Sequence, residues 1–309
     1  MLDEFKHYYE VARKMQHIKF EGNTKELTKM DVADDLAWNV PIYDVVNRRY
    51  AAFSSFTEAI FYKHKDPKGN GYYFKSNTVP HNEHFATLCY LFRLCGSGIN
   101  YKPITEGSGI YGTHGFGNFW IVDAIAGGHY RRDSWLNLLP ESKFCDVKGY
   151  MLPQIKGGMY NFIKSGVPLD LVDTIWSEIN THKYSIADVV DLGNHFLQSR
   201  GFQRQNFVLC AFAMDLAEYF PNLVNRDSDV LLGSNAKKCF KQVFPGRKNT
   251  KIEWNKGLQE LCDLTGNQSK KYDMEDVMCD FIRYTENFQS PDHIKANGGL
   301  IFKNSLNGI

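Results

Sequence analysis

Apolar residues recur at intervals of three and four along most of the chain, which is the periodicity of one helix face. In residues 3 to 18, for example, Phe5, Tyr8, Tyr9 and Ala12 fall on one face. The same pattern predicts helices at residues 41 to 62, 85 to 94, 168 to 179, 185 to 198, 205 to 219, 234 to 241, 254 to 264 and 274 to 287. The sequence therefore predicts a mainly α protein with three helices before residue 100.

Capping and turn residues mark several of these helix ends. Pro41 suits a first helical turn because its missing N–H would be unpaired there, and Gly96 is a glycine terminator. Ser185 is a good N-cap with Asp188 three residues on, and Pro221 ends the long helix before it. No period of 20 to 50 residues recurs and no low-complexity run resembles a linker, which predicts one helical domain over residues 1 to 309.

The stretch from Gly96 to Gly128 interrupts this pattern with many glycines, GSGINYKPITEGSGIYGTHGFGNFWIVDAIAGG. It lacks GxxxxGK[ST], and no predicted strand leads into it as a dinucleotide-binding fingerprint requires. It is either a surface loop or a place where the backbone approaches a phosphate or sugar closely. His114, Asn118 and Trp120 favour the second interpretation, because polar and aromatic groups together suit the binding of a flipped base.

The composition narrows the classes of function. Aromatic residues make up 14% of the chain and charged residues 23%. The net charge of +1 excludes nucleic-acid binding by bulk positive charge but allows a local basic face. Neither a signal peptide nor a membrane span is expected, so a cytoplasmic location is predicted. The seven scattered cysteines include no CxxC, and we expect reduced thiols, no metal and no bound cofactor.

Asp215 is the main candidate for chemistry. It lies within the apolar helix AFAMDLAEYF, where a carboxylate is costly unless it is paired or used. Burial would raise its pKa and make it a possible base or a partner for a developing cation. Alternatively, Asp215 caps a turn or faces solvent beside Glu218.

Two polar segments are candidates for contacts with DNA phosphates. The turn SRGFQRQN at residues 199 to 206 separates two helices and offers Arg200, Arg204 and Gln205 near the second helix's N-terminus. The basic run at residues 236 to 256 follows in sequence, with its first lysines at Lys237, Lys238 and Lys241. Either segment can equally be an ordinary helical turn or a solvated face.

Three arginines and one acid are set in apolar helices. Arg48 and Arg49 in NRRY and Arg93 in LFRLCG each imply a buried acidic partner or an anionic ligand, which sequence cannot distinguish. Asp280 lies in EDVMCDFIRY, where Val277 and Phe281 keep helical spacing. On its own this last segment predicts a core helix.

The order LFRLCGSGINY, HGFGN, FVLCAFAMDL, DVLLGSNAKKCF and MEDVMCDFIRY resembles a phage-associated family of base-modification proteins. These are the α-glutamyl/putrescinyl thymine pyrophosphorylases, or amino acid:DNA transferases, which are similar to helix-hairpin-helix DNA glycosylases. The match covers residues 85 to 290 as a glycosylase-like body with a glycine-rich loop insertion, and residues 1 to 80 match poorly. No kinase P-loop is present, so the kinase activity of fused relatives is not expected.

The resemblance implies double-stranded DNA with a 5-hydroxymethyl-type pyrimidine as the substrate. It matches Asp215 to the aspartate of the alanine-rich helix, His114 and Asn118 to the loop, and Arg93, Cys279, Asp280 and Tyr284 to the flanking helices. One departure concerns the hairpin, because only Gly201 is present and Asp215 follows it more closely than in the glycosylases. Asp227 and Asp229 therefore remain alternatives for the catalytic carboxylate.

Three functions follow as hypotheses. The first is a glycosylase that flips a modified pyrimidine, holds it with His114, Asn118, Trp120, Arg93 and Asp280, and cleaves its N-glycosidic bond with Asp215, as in defence against phage. The second is a hypermodification transferase that replaces an activated 5-hydroxymethyl group with an amino acid or polyamine. The third is a noncatalytic DNA-binding or structural protein. Hydrolysis is preferred because it needs only water.

Overall fold

A computed structural model describes residues 1–20, 60–66, 69–75, 81–95, 121, 124–125, 127–138, 158–267 and 269–287. These residues are mainly helical, which confirms the predicted class. Their elements in chain order are α1 (Leu2–Phe20), β1 (Phe61–Asp66), β2 (Gly69–Phe74), α2 (Asn82–Cys95), α3 (Arg132–Asn137), α4 (Gly158–Lys164), α5 (Val167–Ile179), α6 (Ile186–Ser199), α7 (Asn206–Tyr219), α8 (Ser234–Val243), α9 (Lys251–Leu264) and α10 (Lys271–Asn287).

The described residues form two compact units. The central unit contains the elements from β1 to α7 and ends at Ser228. The terminal unit combines α1 with the segment from Asp229 onward, which contains α8, α9 and α10. The terminal unit is therefore discontinuous in sequence, and the central unit lies between its two parts along the chain.

The central unit is built around α7, which is buried on every side from Val208 to Ala217. A helix that is apolar all round is the core of its unit. Helix α7 packs against α2 and α6, and α5 also packs against α2 and α6. Gly193 allows α6 to approach α7 closely, since a Cβ there would lie 2.7 Å from Leu209 Cδ2.

The sequence signals for helix ends are confirmed in this unit. Ser185 Oγ accepts a hydrogen bond from Asp188 N at 3.1 Å, and the Asp188 carboxylate accepts one from Ser185 N at 2.9 Å. This reciprocal pair is a capping box that satisfies two backbone donors at the start of α6. Helix α7 ends at Tyr219, two residues before Pro221, as predicted.

A β-hairpin at residues 61 to 74 corrects one helix boundary. The helix predicted for residues 41 to 62 cannot include its last two residues, because β1 starts at Phe61; residues 41 to 59 lie outside the described residues. The strands are antiparallel, with Phe61 opposite Phe74 and Asp66 opposite Gly69. The hairpin rests on α2, where the ring of Tyr72 stacks on Phe85 with centroids 4.0 Å apart.

The end of the glycine-rich stretch and the segment after it contain helical residues that the sequence did not predict. Ile121, Ala124 and Ile125, which fall inside the predicted loop, are helical and buried. The short helices α3 and α4 were not predicted.

The terminal unit is organised by α10, which packs against α1, α8 and α9. The ring of Phe281 in α10 meets two rings of α1 edge to face. Its centroid lies 5.3 Å from that of Phe5 and 5.5 Å from that of Tyr8. The hydroxyl groups of Tyr9 and Ser269 form a buried hydrogen bond of 2.7 Å. Burial is the main reason that the pKa of the Tyr9 hydroxyl is raised.

Within the described part of the chain, no helix combines the length and the apolar character that crossing a membrane requires.

Candidate functional site

Two residues that the sequence singled out meet inside the central unit. Arg93 Nε donates to Asp215 Oδ2 at 2.6 Å, and Arg93 Nη2 donates to Asp215 Oδ1 at 2.7 Å. Both side chains are buried, with Asp215 only 1% exposed. This is a bidentate, charge-assisted pair that joins α2 to α7. The question that sequence left open for Arg93, an acidic partner or an anionic ligand, is answered in favour of the partner.

The positions of both residues follow from their helices. Arg93 lies in the last turn of α2, whose residues Phe85 to Leu94 are all buried. Asp215 belongs to the third turn of α7, where every neighbour from Val208 to Ala217 is buried. Both charged groups are largely shielded from bulk water, so each compensates the charge of the other. The alternatives in which Asp215 caps a turn or faces solvent are therefore wrong.

A polar network holds the start of α7 against its neighbours. Tyr90 of α2 donates its hydroxyl to Gln205 Oε1 at 2.7 Å, and Asn194 Oδ1 of α6 accepts from Gln205 N at 2.8 Å. Asn194 Nδ2 in turn donates to Asn206 Oδ1 at 2.7 Å. Because Gln205 is 2% exposed and bonded on both sides, the prediction that its side chain contacts DNA is wrong.

This network also changes the expected phosphate site at the start of α7. Backbone N–H groups near the start of α7 were expected to face a phosphate. The backbone N–H of Gln205 instead donates to Asn194 Oδ1. Asn194 and Tyr90 were not predicted to take part in this network. The available signal for Asn194 was a polar residue on the apolar face of α6, beside Val190 and Leu197.

The turn between α6 and α7 does present its two arginines to solvent. Gly201 has a positive φ, which favours glycine and permits the sharp change of direction after α6. The side chains of Arg200 and Arg204 are both 53% exposed. Each lies close to a carboxylate, with Arg200 Nη2 3.7 Å from Asp170 and Arg204 Nη2 3.6 Å from Asp191. Exposed pairs of this length are weak, so both arginines can exchange these partners for a phosphate.

The other predicted contacts belong to the terminal unit. Lys238 and Lys241 are exposed on α8. Lys237 is half-buried, and its ammonium lies 4.7 Å from the ring centroid of Trp254 in a cation–π contact. Asp280 of α10 is 3% exposed and is therefore not a surface group. Arg93 and Asp215 therefore meet in the central unit, whereas Asp280 and the three lysines belong to the terminal unit.

Further along the basic run, acids neutralise part of the charge. Arg247 pairs with Glu260 at 2.5 Å, and Lys256 pairs with Glu253 at 2.9 Å. The hydrogen bond from Lys256 is the main reason that the pKa of Glu253 is lowered.

The predicted base-binding residues His114, Asn118 and Trp120 lie outside the described residues, as do Arg48 and Arg49. The two alternative carboxylates, Asp227 and Asp229, are exposed, and Asp229 accepts from Lys271 Nζ at 2.8 Å.

The cysteines of the described residues are free thiols. Cys89, Cys210, Cys239 and Cys262 are buried and Cys279 is half-buried. Burial raises the pKa of Cys262 to about 12, so this thiol is a poor nucleophile at neutral pH. Over the described ranges, no cluster of three or more histidine, cysteine and acidic side chains could hold a metal ion.

Comparisons of the chain with protein-family models, with curated proteins and with solved structures found no significant match.

Proposed function

We propose that the protein is a DNA glycosylase-like enzyme that flips a 5-hydroxymethyl-derived pyrimidine out of double-stranded DNA and cleaves its N-glycosidic bond. The observation that carries this proposal is the buried Arg93–Asp215 pair. The two residues come from two of the motifs on which the family resemblance depends, and they are 122 positions apart in sequence. Their contact brings these two motifs together in the core of the central unit.

The pair suits the charge that develops when a glycosidic bond breaks. Water adds to C1′ of the deoxyribose while the base leaves with the electron pair of the C1′–N bond and takes up a proton. The sugar passes through a cation-like state, which a fixed carboxylate stabilises most effectively in a poorly hydrated site. In this proposal Asp215 supplies that negative charge, and Arg93 is a positioning residue that holds the carboxylate in place through two hydrogen bonds.

Contacts with the rest of the substrate complete the proposal. The exposed Arg200 and Arg204 of the α6–α7 turn would bind DNA phosphates, as would Lys237, Lys238 and Lys241 of α8. His114, Asn118 and Trp120 would hold the flipped base. In sequence, the glycine-rich stretch that contains these three residues begins directly after α2, which ends two residues after Arg93.

Base release is the direct test. Purified protein is incubated with phage DNAs that carry different modified pyrimidines, released bases are identified by mass spectrometry, and abasic sites are detected by alkaline cleavage. We expect release by the wild type and by Glu218→Gln, which changes the other acid of α7. We expect none from Asp215→Asn.

Because Asp215→Asn breaks a buried pair, a second variant separates chemistry from folding. Arg93→Met combined with Asp215→Leu removes both charges and keeps the site apolar, which is often tolerated in protein cores. A folded double variant that still releases base would refute the role of Asp215. If no DNA loses a base with any protein, excision is refuted, and the same proteins are then tested for group transfer to pyrophosphorylated hydroxymethyluracil DNA with amines.

A further inference from the structure

The outward face of the β-hairpin carries a stacked pair of tyrosines. Alternation along the strands buries the opposed Phe61 and Phe74 and turns the next pair, Tyr62 and Tyr73, away from the core. The two tyrosine rings are nearly parallel, with an interplanar angle of 13° and centroids 5.4 Å apart. Tyr62 is 39% exposed, so a large aromatic surface faces solvent.

The inward face makes this pair a rigid platform. The ring of Phe61 stacks on Phe74 at 4.5 Å and meets Phe85 of α2 edge to face at 5.4 Å. Tyr72 also stacks on Phe85. A two-stranded hairpin is only marginally stable alone, so this packing fixes the outward pair. The entropic cost of ordering the protein when a ligand stacks on Tyr62 should therefore be small.

The hairpin is more basic than the chain as a whole. Its segment FYKHKDPKGNGYYFK has four lysines against one aspartate, in a protein whose net charge is +1. The exposed Lys75 lies two residues after Tyr73, which places it on the same face by alternation, whereas the exposed Lys63 is opposite Tyr72 and belongs to the other face. Exposed aromatic faces among lysines are the combination that binds single-stranded nucleic acid, because bases stack and phosphates pair with the cations.

We propose that the Tyr62–Tyr73 face is a binding platform for an unpaired nucleic-acid strand, with a base stacked on Tyr62 and a backbone phosphate contacted by Lys75. The inference shares a nucleic-acid partner with the proposed function but does not require any base excision. A protein partner is disfavoured, since among the hairpin side chains whose burial is described the outward aromatic surface consists of the two tyrosine rings, with the exposed Lys75 beside them.

Binding of a fluorescein-labelled, mixed-sequence single-stranded DNA by the intact protein tests the platform. We expect Tyr62→Leu to raise Kd roughly five- to hundredfold, since base–aromatic stacking has that worth. Tyr62→Phe, which keeps the ring, should stay within about twofold of the wild type. Binding of duplex DNA of the same sequence should not change in Tyr62→Leu, because the bases of a duplex are already stacked on each other.

The contact of Lys75 is tested by the dependence of affinity on salt. Lys75→Gln should reduce the slope of log K against log salt by roughly 0.7, the value for one phosphate contact with a single strand. The matched control is Lys183→Gln, which removes an exposed lysine elsewhere in the same unit and should leave the slope unchanged.

Three results would overturn the inference: wild-type protein that binds no single strand, Tyr62→Leu that binds like the wild type, or Tyr62-dependent binding to phosphatidylserine vesicles without binding to DNA. The test is distinct from that of the proposed function. Loss of excision with Tyr62-dependent strand binding would refute only the glycosylase proposal, and excision with Tyr62-independent binding would refute only the platform.

Discussion

Removing one partner of the Arg93–Asp215 pair should destabilise the protein far more than removing both. In Asp215→Leu the guanidinium of Arg93 remains inside the central unit without its bidentate acceptor. In Arg93→Met the carboxylate of Asp215 remains in a helix whose neighbours are all buried. Each single variant therefore leaves a buried charge without the group that compensates it. The double variant leaves no charge and retains similar side-chain lengths.

The expected magnitudes are large enough to measure. Breaking a buried ion pair at one end costs about 3–5 kcal/mol, against a total stability of about 5–15 kcal/mol for a typical protein. At about 2–4 °C per kcal/mol, each single variant should lose on the order of 10 °C in Tm. Replacement of both partners by apolar residues is about neutral or stabilising. The coupling energy between the two sites should therefore exceed about 3 kcal/mol.

Thermal and urea unfolding of the wild type, the two single variants and the double variant gives this coupling energy directly. The matched control is the cycle of Arg200→Gln and Asp170→Asn, which removes an ion pair of the same unit that is exposed at both ends. Its coupling should be about 0–1 kcal/mol. If the losses of the two single variants simply add in the Arg93→Met, Asp215→Leu protein, the two charges do not compensate each other and the argument from burial fails.

Three further outcomes are expected. Gly193→Ala should lose about 1–3 kcal/mol in urea unfolding, since the new Cβ overlaps Leu209. Gly246→Ala, which meets nothing within 4 Å, should not, and equal effects would refute the packing argument. Ser185→Ala should lose about 1 kcal/mol by removing the cap of α6, and no change in Tm would contradict that. Burial lowers the pKa of His81 in the folded protein below its ordinary value of 6.5. The unfolded chain therefore binds the proton more readily than the folded protein does. The contribution of the neutral His81 to stability is complete above pH 6.5 and is lost as the pH falls through the lowered pKa. His81→Phe should flatten this part of the stability curve, and an unchanged curve would exclude His81 as its source.

Local signals were sufficient where a capping residue or a following proline marks the end of a regular pattern of apolar residues. The boundaries of α6 follow from Ser185 and the periodic apolar positions after it, and those of α7 from the apolar run that stops before Pro221. These interactions lie within a few residues of each other, so periodicity and capping residues determine them.

The β-hairpin shows where this reasoning fails. Apolar residues at helical spacing continue from Phe53 to Ile60, and the next residue, Phe61, extends the same pattern although it begins β1. The segments FYKHK and GYYF cover only a few residues each, so a strand pattern in them is too short to stand out against the helical spacing before it. The strands form because Phe61, Tyr72 and Phe74 find an apolar surface on α2, which is a tertiary effect.

The candidate site was predictable in its members but not in its pairing. Sequence showed that Arg93 and Asp215 each needed a partner, but only the packing of α2 on α7 identifies them as partners of each other. Gln205 was misassigned for a related reason. It lies in a polar turn beside two exposed arginines, yet it is buried because it forms hydrogen bonds with Tyr90 of α2 and Asn194 of α6.

The discontinuity of the terminal unit has a consequence for biosynthesis. A ribosome delivers the chain from its N-terminus at about 5–20 residues per second, so α1 emerges long before α10, the helix that it packs against. The central unit has all its elements by Ser228 and can fold while α1 still lacks its apolar partner. The Tyr9–Ser269 hydrogen bond spans 260 positions and must be among the last to form. Phe5 and Tyr8 can pack against Phe281 only after α10 has been synthesised, so we expect the apolar face of α1 to bind a chaperone on the nascent chain.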